Sequence, residues 1–97
     1  MKYYFEWDPD KGELNFHKHK VSFQRAAEVF KDPHAISIFD EEHSQGEDRW
    51  ITIGSDYNGR MIVVSHTFRR IDDGSFRIRI ISSRKATKNE RKQYAER

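Results

Sequence analysis

Apolar positions follow a helical period in the first third of the chain and a strand-like alternation after it. Tyr3, Tyr4 and Phe5 read as a short first strand. Asp8-Pro9 then reads as a helix start, because aspartate caps and proline suits the first helical position. The expected first helix covers residues 9–18, with Leu14, His17 and Lys18 toward its inner side. Its apolar face is thin, and Gly12 weakens it by roughly 1 kcal/mol against alanine. Ser22 is placed to cap a second helix, in which Phe23, Ala26, Ala27 and Phe30 form one stripe at i, i+3, i+4 and i+7. Asp32-Pro33 should stop it. Only His19, Lys20 and Val21 separate the two helices, which predicts neighbours in an αα-hairpin.

Beyond Pro33 the pattern changes. Residues 35–39 read as a strand, residues 40–48 as an acidic loop containing Gly46, and residues 50–54 as the next strand. Asn58-Gly59 marks a hairpin turn into a strand over residues 60–69, and Asp72-Asp73-Gly74 marks another turn. In the last strand, over residues 76–83, Phe76, Ile78 and Ile80 share one face, while Arg77, Arg79 and Ile81 share the other. Thr87-Lys88-Asn89-Glu90 is a capping box that opens a final helix over residues 88–97. Tyr94 and Ala95 are its sizeable apolar residues, so it should dock on the surface by a few contacts. The predicted fold class is α+β: an antiparallel meander of about four strands, packed with an N-terminal helix pair and a C-terminal helix.

Ninety-seven residues fit one domain spanning 1–97. Hydrophobic and charged residues each make up 35%, a lean core, but seven Phe, four Tyr and two Trp are grouped as a disordered chain rarely groups them. Oligomerisation or a bound partner would add stability to so small a core. The absence of cysteine excludes disulfides and cysteine-based zinc sites and fits the cytoplasm. The N-terminus lacks a signal-peptide core. The longest purely apolar run is the four residues Met61 to Val64, too short to span a membrane.

The net charge is only +2, yet residues 77–97 hold eight Lys or Arg against two Glu. That concentration points first to a polyanion, RNA or DNA. Arg77 and Arg79 project from one side of a strand and cannot face a dry core unpaired, so their side is a polar sheet face or an anion-binding surface. Arg84 and Lys85 directly downstream favour the second reading, since arginine forks onto phosphate and lysine acts as a mobile point charge. The last helix adds Lys88, Arg91, Lys92 and Arg97, either as solvated surface or as further phosphate contacts. His66 is equally compatible with a buried, hydrogen-bonded histidine and with general acid–base work. His17 and His19, at i and i+2, point about 200° apart on a helix and are not a metal pair. Lys18, His19 and Lys20 form a basic corner. Trp50, beside Arg49, is a stacking surface or core. With no phosphate loop, cysteine nucleophile or carboxylate pair in view, an enzyme acting on RNA would rely on electrostatics and orientation.

An ordered series of blocks carries a family resemblance. Phe5-Glu6-Trp7-Asp8-Pro9, Asn15, Lys18-His19, Val21-Ser22-Phe23, Asp32-Pro33, His43-Ser44, Gly46-Glu47 and Arg49 come first. Ile53-Gly54, Val63-Val64, His66-Thr67 and the run from Arg77 to Thr87, with Glu90 and Tyr94, follow. The series spans essentially the whole chain and resembles the BrnT-type ribonuclease toxins. The resemblance implies a RelE-like fold, a type II toxin–antitoxin role, metal-independent RNA cleavage without a cofactor, and arrest of translation and growth. It also implies a BrnA-like antitoxin, through which alone operator DNA is reached, and a possible dimer within the toxin–antitoxin complex. Carried over residue by residue, it ranks Arg79, Arg84, Lys85 and His66 as catalytic candidates, and Lys18, His19, Arg49, Arg77 and Lys88 as RNA-binding candidates. Two positions depart from the family pattern. Lys20 stands where many relatives have glycine, at a cost of roughly 1 kcal/mol if the backbone there is left-handed. Phe68 stands where an acidic residue often follows His/Tyr-Thr.

Overall fold

The computed structural model describes residues 1–96, so Arg97 of the expected final helix lies outside the described residues. The chain runs β1 (Lys2–Glu6), α1 (Pro9–His19), α2 (Phe23–Glu28), β2 (Ile36–Phe39), β3 (Trp50–Ser55), β4 (Met61–His66), β5 (Arg69–Asp72), β6 (Ser75–Lys85) and α3 (Lys88–Glu96). The expected meander is present as β2, β3, β4 and β6, each antiparallel to the next. Two additions bring the sheet to six strands. β1 pairs in parallel with the start of β6, from Lys2 opposite Ser75 to Glu6 opposite Arg79. The run read as one strand over residues 60–69 breaks after His66 and resumes as β5, which pairs with β6 alone. Thr67 spans the break: its amide donates to the Arg79 carbonyl at 3.0 Å, and its hydroxyl accepts from the Arg79 amide at 3.1 Å.

Asp8 caps α1 through the Asp10 amide, and Ser22 caps α2 through the Arg25 amide, as the sequence leads one to expect. The stripe of α2 runs on into a 3-10 turn over Val29–Lys31, which adds Val29 to the core. Helices α1 and α2 cover one face of the sheet. There Phe23, Val29, Ile62, Val64, Ile78 and Ile80 are buried against one another, ringed by Tyr3, Phe5, Trp7 and Phe30. Full burial of such side chains contributes about 1.5–3 kcal/mol each. The inner position of α1 differs from expectation. Leu14 is 69% exposed, and His17 and Lys18 are exposed too. Asn15, 8% exposed, faces β6 instead. Its side-chain amide donates to the carbonyls of Val21 (3.0 Å) and Ser83 (2.9 Å), and its oxygen accepts from the Ser83 amide at 3.1 Å. An amide suits this place because it satisfies the α1–α2 link and the sheet together.

A smaller cluster of Ile53, Val63 and Ala86 lies on the other face, with Ile51, Met61 and Tyr94 of α3 packed on it. Gly54 is required by the close approach of the 3-10 turn: an added Cβ would sit 2.6 Å from Val29 Cγ1 and 3.1 Å from Ala35 Cβ. The register of β6 on β4 slips once. Ser65 pairs with Ser82 but His66 with Ile80, which leaves Ile81 as a bulge. Alternation therefore resets. Ser83 joins Ile78 and Ile80 on the helix-pair face, and Arg84, opposite Val63, stays on the same face as Arg77 and Arg79. Without the bulge Arg84 would be driven into the apolar core.

Candidate functional site

The arginines of β5 and β6 surround a basin on the α3 face of the sheet. Arg69, Arg70, Arg77 and Arg79 line it together with Glu6, Glu47, Asp48, Gly46, Thr67 and Phe68. Four guanidinium groups thus meet three carboxylates within one concavity of about 580 Å³. Pairing explains the convergence: Arg69 lies opposite Arg77 in the ladder, and Glu6 lies opposite Arg79. Like charges held opposite one another are destabilising, so the basin needs counter-ions, and nearby segments supply them. The Arg77 Nε is 3.8 Å from Glu6. Arg79 forms a charge-assisted hydrogen bond to Glu47, and Arg49 Nη2 approaches the same carboxylate at 3.8 Å. Arg70 bonds Asp73 and, at 3.3 Å, the Asp72 carbonyl.

Glu47 is brought there by the β2–β3 hairpin loop. The Asp40 amide donates to the Arg49 carbonyl at 2.9 Å, and Ser44 accepts from the Arg49 amide at 3.0 Å, closing the loop from within. The hydrogen bond from Arg79 holds the Glu47 carboxyl below the usual carboxylate range, aided by the charges of Arg79, Arg49 and Arg69. The Arg49 Nε is buried and has no hydrogen-bond partner among the described residues. A buried donor of this kind is costly to leave unmade and marks a place where a further acceptor would be gained.

The other candidates lie apart from the basin. Arg84, five residues along β6 from Arg79 and roughly 15 Å away at strand rise, forks onto Glu90 with bonds of 2.7 and 2.9 Å. Lys85 and Lys88 are exposed beside it. Lys18 and His19 end α1, on the opposite face of the sheet from Arg77 and Arg79. Lys20 is left-handed, with φ 60° and ψ 27°, and its amide closes α1 on the Phe16 carbonyl at 2.8 Å. His66 is 1% exposed. Its Nδ1 bonds the Thr67 carbonyl at 2.8 Å and its Nε2 bonds the Thr52 hydroxyl at 2.7 Å, while Phe30 stands edge-on at 4.7 Å. Burial pushes the His66 pKa down, so the neutral ring is favoured. His66 is thus buried with both ring nitrogens hydrogen-bonded.

Sequence reasoning did not single out Glu47, Arg69 or Arg70. Arg69 ended the run read as one strand, and the break at Thr67-Phe68 that turns Arg69 and Arg70 toward Arg77 leaves no pattern in the residues. Glu47 stood in the Gly46-Glu47 block of the family resemblance, but among several acidic loop residues nothing local gave it a role.

Residues 7–90 match the family model described as the ribonuclease toxin BrnT of type II toxin–antitoxin systems. The fold is similar to the 1.1 Å crystal structure of the Brucella abortus ribonuclease toxin BrnT, with a TM-score of 0.62 and 21% identity over 91% of this chain and 100% of that one. No curated protein matches significantly.

Proposed function

The chain belongs to the BrnT family of ribonuclease toxins of type II toxin–antitoxin systems, and on that premise we propose that it cuts RNA in the arginine basin around Glu47. The observation that carries this reading is the clasp: a carboxylate held by Arg79 and Arg49 in a concavity that also gathers Arg69, Arg70 and Arg77. Cleavage through the ribose 2′-hydroxyl asks the protein for donors to the phosphoryl oxygens and for a base to take the hydroxyl proton. The guanidinium forks serve the first need without a metal. Glu47 serves the second. A phosphate entering the basin competes for Arg79, so Glu47 loses the bond that depresses its pKa and regains basicity beside the reacting group.

In the step proposed, Glu47 takes the 2′-hydroxyl proton and the 2′-oxygen attacks phosphorus. The bond from phosphorus to the 5′-oxygen breaks, and that oxygen takes a proton from solvent. The products are a 2′,3′-cyclic phosphate and a 5′-hydroxyl. Lys88 extends the RNA path at the start of α3, Arg84 adds to its field while holding α3, and Lys85, opposite Ile62, takes the other face at the end of β6. Lys18 and His19 play no part in the cut. A BrnA-like antitoxin is the proposed partner, covering the basin with its own carboxylates, and operator DNA is reached through that antitoxin.

Incubating purified protein with end-labelled RNA in EDTA tests the reading. Cleavage should persist and leave cyclic phosphate ends. Arg79→Ala and Glu47→Gln should each slow it by about 100-fold or more. RNA that stays intact while binding tightly would replace the enzyme by a non-catalytic RNA-binding module.

A further inference from the structure

On the α1–α2 side of the sheet, a cleft of about 360 Å³ is lined by Tyr3, Phe30, Ser37, Trp50, His66 and Phe68, among others. Its size is that of a small-molecule site. Phe68 also lines the arginine basin, so the two concavities meet at the edge where the β4–β5 strand is interrupted. Nothing in the proposed cutting step uses this cleft. We propose that it receives a base of the bound RNA strand and selects one whose amino group stands at C6 of a purine or C4 of a pyrimidine, adenine or cytosine; the strand that delivers the base rests on the ribonuclease reading.

The walls suit a flat ring. Trp50 and Phe68 are partly exposed, and the rings of Phe30 and Tyr3 stand behind them. Aromatic faces stack bases of any sequence, so selectivity has to come from the polar groups. These form a chain whose direction is set at one end. The Thr67 carbonyl accepts only, so the proton of neutral His66 is on Nδ1 and its Nε2 is an acceptor. The Thr52 hydroxyl must then donate to Nε2 at 2.7 Å, and its oxygen accepts the Ser37 proton at 2.8 Å. With its proton committed, Ser37 presents lone pairs to the cleft. Asp32, also on the lining, is a carboxylate whose Oδ2 already accepts from the Ser55 amide and the Tyr94 hydroxyl, and the Tyr3 hydroxyl has its proton on Met1 Sδ at 3.1 Å. Apart from the indole N–H at the edge of Trp50, the polar lining is therefore made of acceptors. Adenine and cytosine offer an N–H₂ group at the edge where guanine and uracil carry a carbonyl oxygen. The amino group is bonded; the carbonyl meets lone pairs.

Trp50 reports on its own occupancy once Trp7→Phe leaves it as the sole tryptophan of the two. This protein is titrated with the 3′-monophosphates of adenosine, cytidine, guanosine and uridine. The adenine and cytosine nucleotides should quench Trp50 and bind about tenfold or more tightly than the other two, roughly the discrimination of one good base contact. Ser37→Ala, at an exposed position, should bring all four within about twofold, whereas Arg79→Ala should weaken all four alike. Absent quenching, equal affinities, or preference for uracil or guanine would overturn the proposal. RNA cut without base preference and without quenching would leave the ribonuclease standing and remove the cleft. Selective nucleotide binding without cutting would keep the cleft and remove the ribonuclease.

Discussion

Lys20 holds a conformation that costs a residue with a Cβ about 1–2 kcal/mol, and it is the sole non-glycine residue with positive φ among those described. The position ends α1 and turns the chain into Val21, which is fully buried, so the strain cannot relax without moving the core. Lys20→Gly should stabilise the protein by about 0.5–1 kcal/mol, because glycine's greater unfolded-state entropy takes back part of the relief. Urea denaturation at neutral pH would read this as a raised midpoint at unchanged slope; a lowered midpoint would show that Lys20, whose Nζ lies 6.0 Å from the Phe16 ring, contributes more by packing than it loses in strain. That position was legible beforehand as a departure from a glycine pattern. The single-residue bulge at Ile81 was not. Strict alternation along β6 holds for Ile78 and Ile80 and fails at Ser83, because the extra residue is defined by its partner strand and not by its own neighbours. Asn15 was hidden for a related reason: a polar residue on a helix reads as surface until the β6 carbonyl it satisfies, 68 positions away in sequence, is brought to it.

Among the elements, α3 depends most on named polar contacts. It carries no buried residue. The Thr87–Glu90 capping box forms at its start, Arg84 forks onto the same Glu90, and the Tyr94 hydroxyl donates to Asp32 at 2.8 Å. The hydrogen bond from Arg84, with help from Thr87, lowers the Glu90 pKa from 4.5 to about 2. A carboxyl depressed in the folded state stabilises above its unfolded value and loses that contribution as pH falls through its folded value. The stability difference between the parent protein and Glu90→Gln should therefore be constant above pH 4.5 and shrink toward pH 2. A difference that stays constant across that window, measured by urea denaturation at stepped pH, would rule out the Arg84–Glu90 pair as its source. The capping box made this helix legible residue by residue, whereas its pairing with β6 required knowing which face Arg84 takes. The edge elements show the same division. β1 was visible as a run of aromatics, but a parallel partner more than seventy residues on has no local signature. β5 was absorbed into one long strand because Thr67-Phe68 interrupts pairing without any turn-forming residue.

For the molecule as a whole, β6 is the strand on which everything else is assembled. It pairs with β1, β4 and β5, receives α1 through Asn15, and carries Arg77, Arg79 and Arg84 on its other side. A chain ending at Gly74 loses all of these partners at once and should be unfolded, with no near-ultraviolet circular dichroism and a collapsed amide spectrum; a dispersed spectrum from that fragment would show that β2, β3 and β4 hold a core by themselves. The parallel union of β1 with residues 75–79 also sets a timetable. A ribosome works from the N-terminus, and contacts between distant segments have to wait for the later one to be made. The first strand thus emerges long before its partner, and the arginines that complete the basin emerge with that partner. While it is still being made, the chain carries an unfinished basin, and no ligand that needs all of its arginines can be held until the closing strand is delivered.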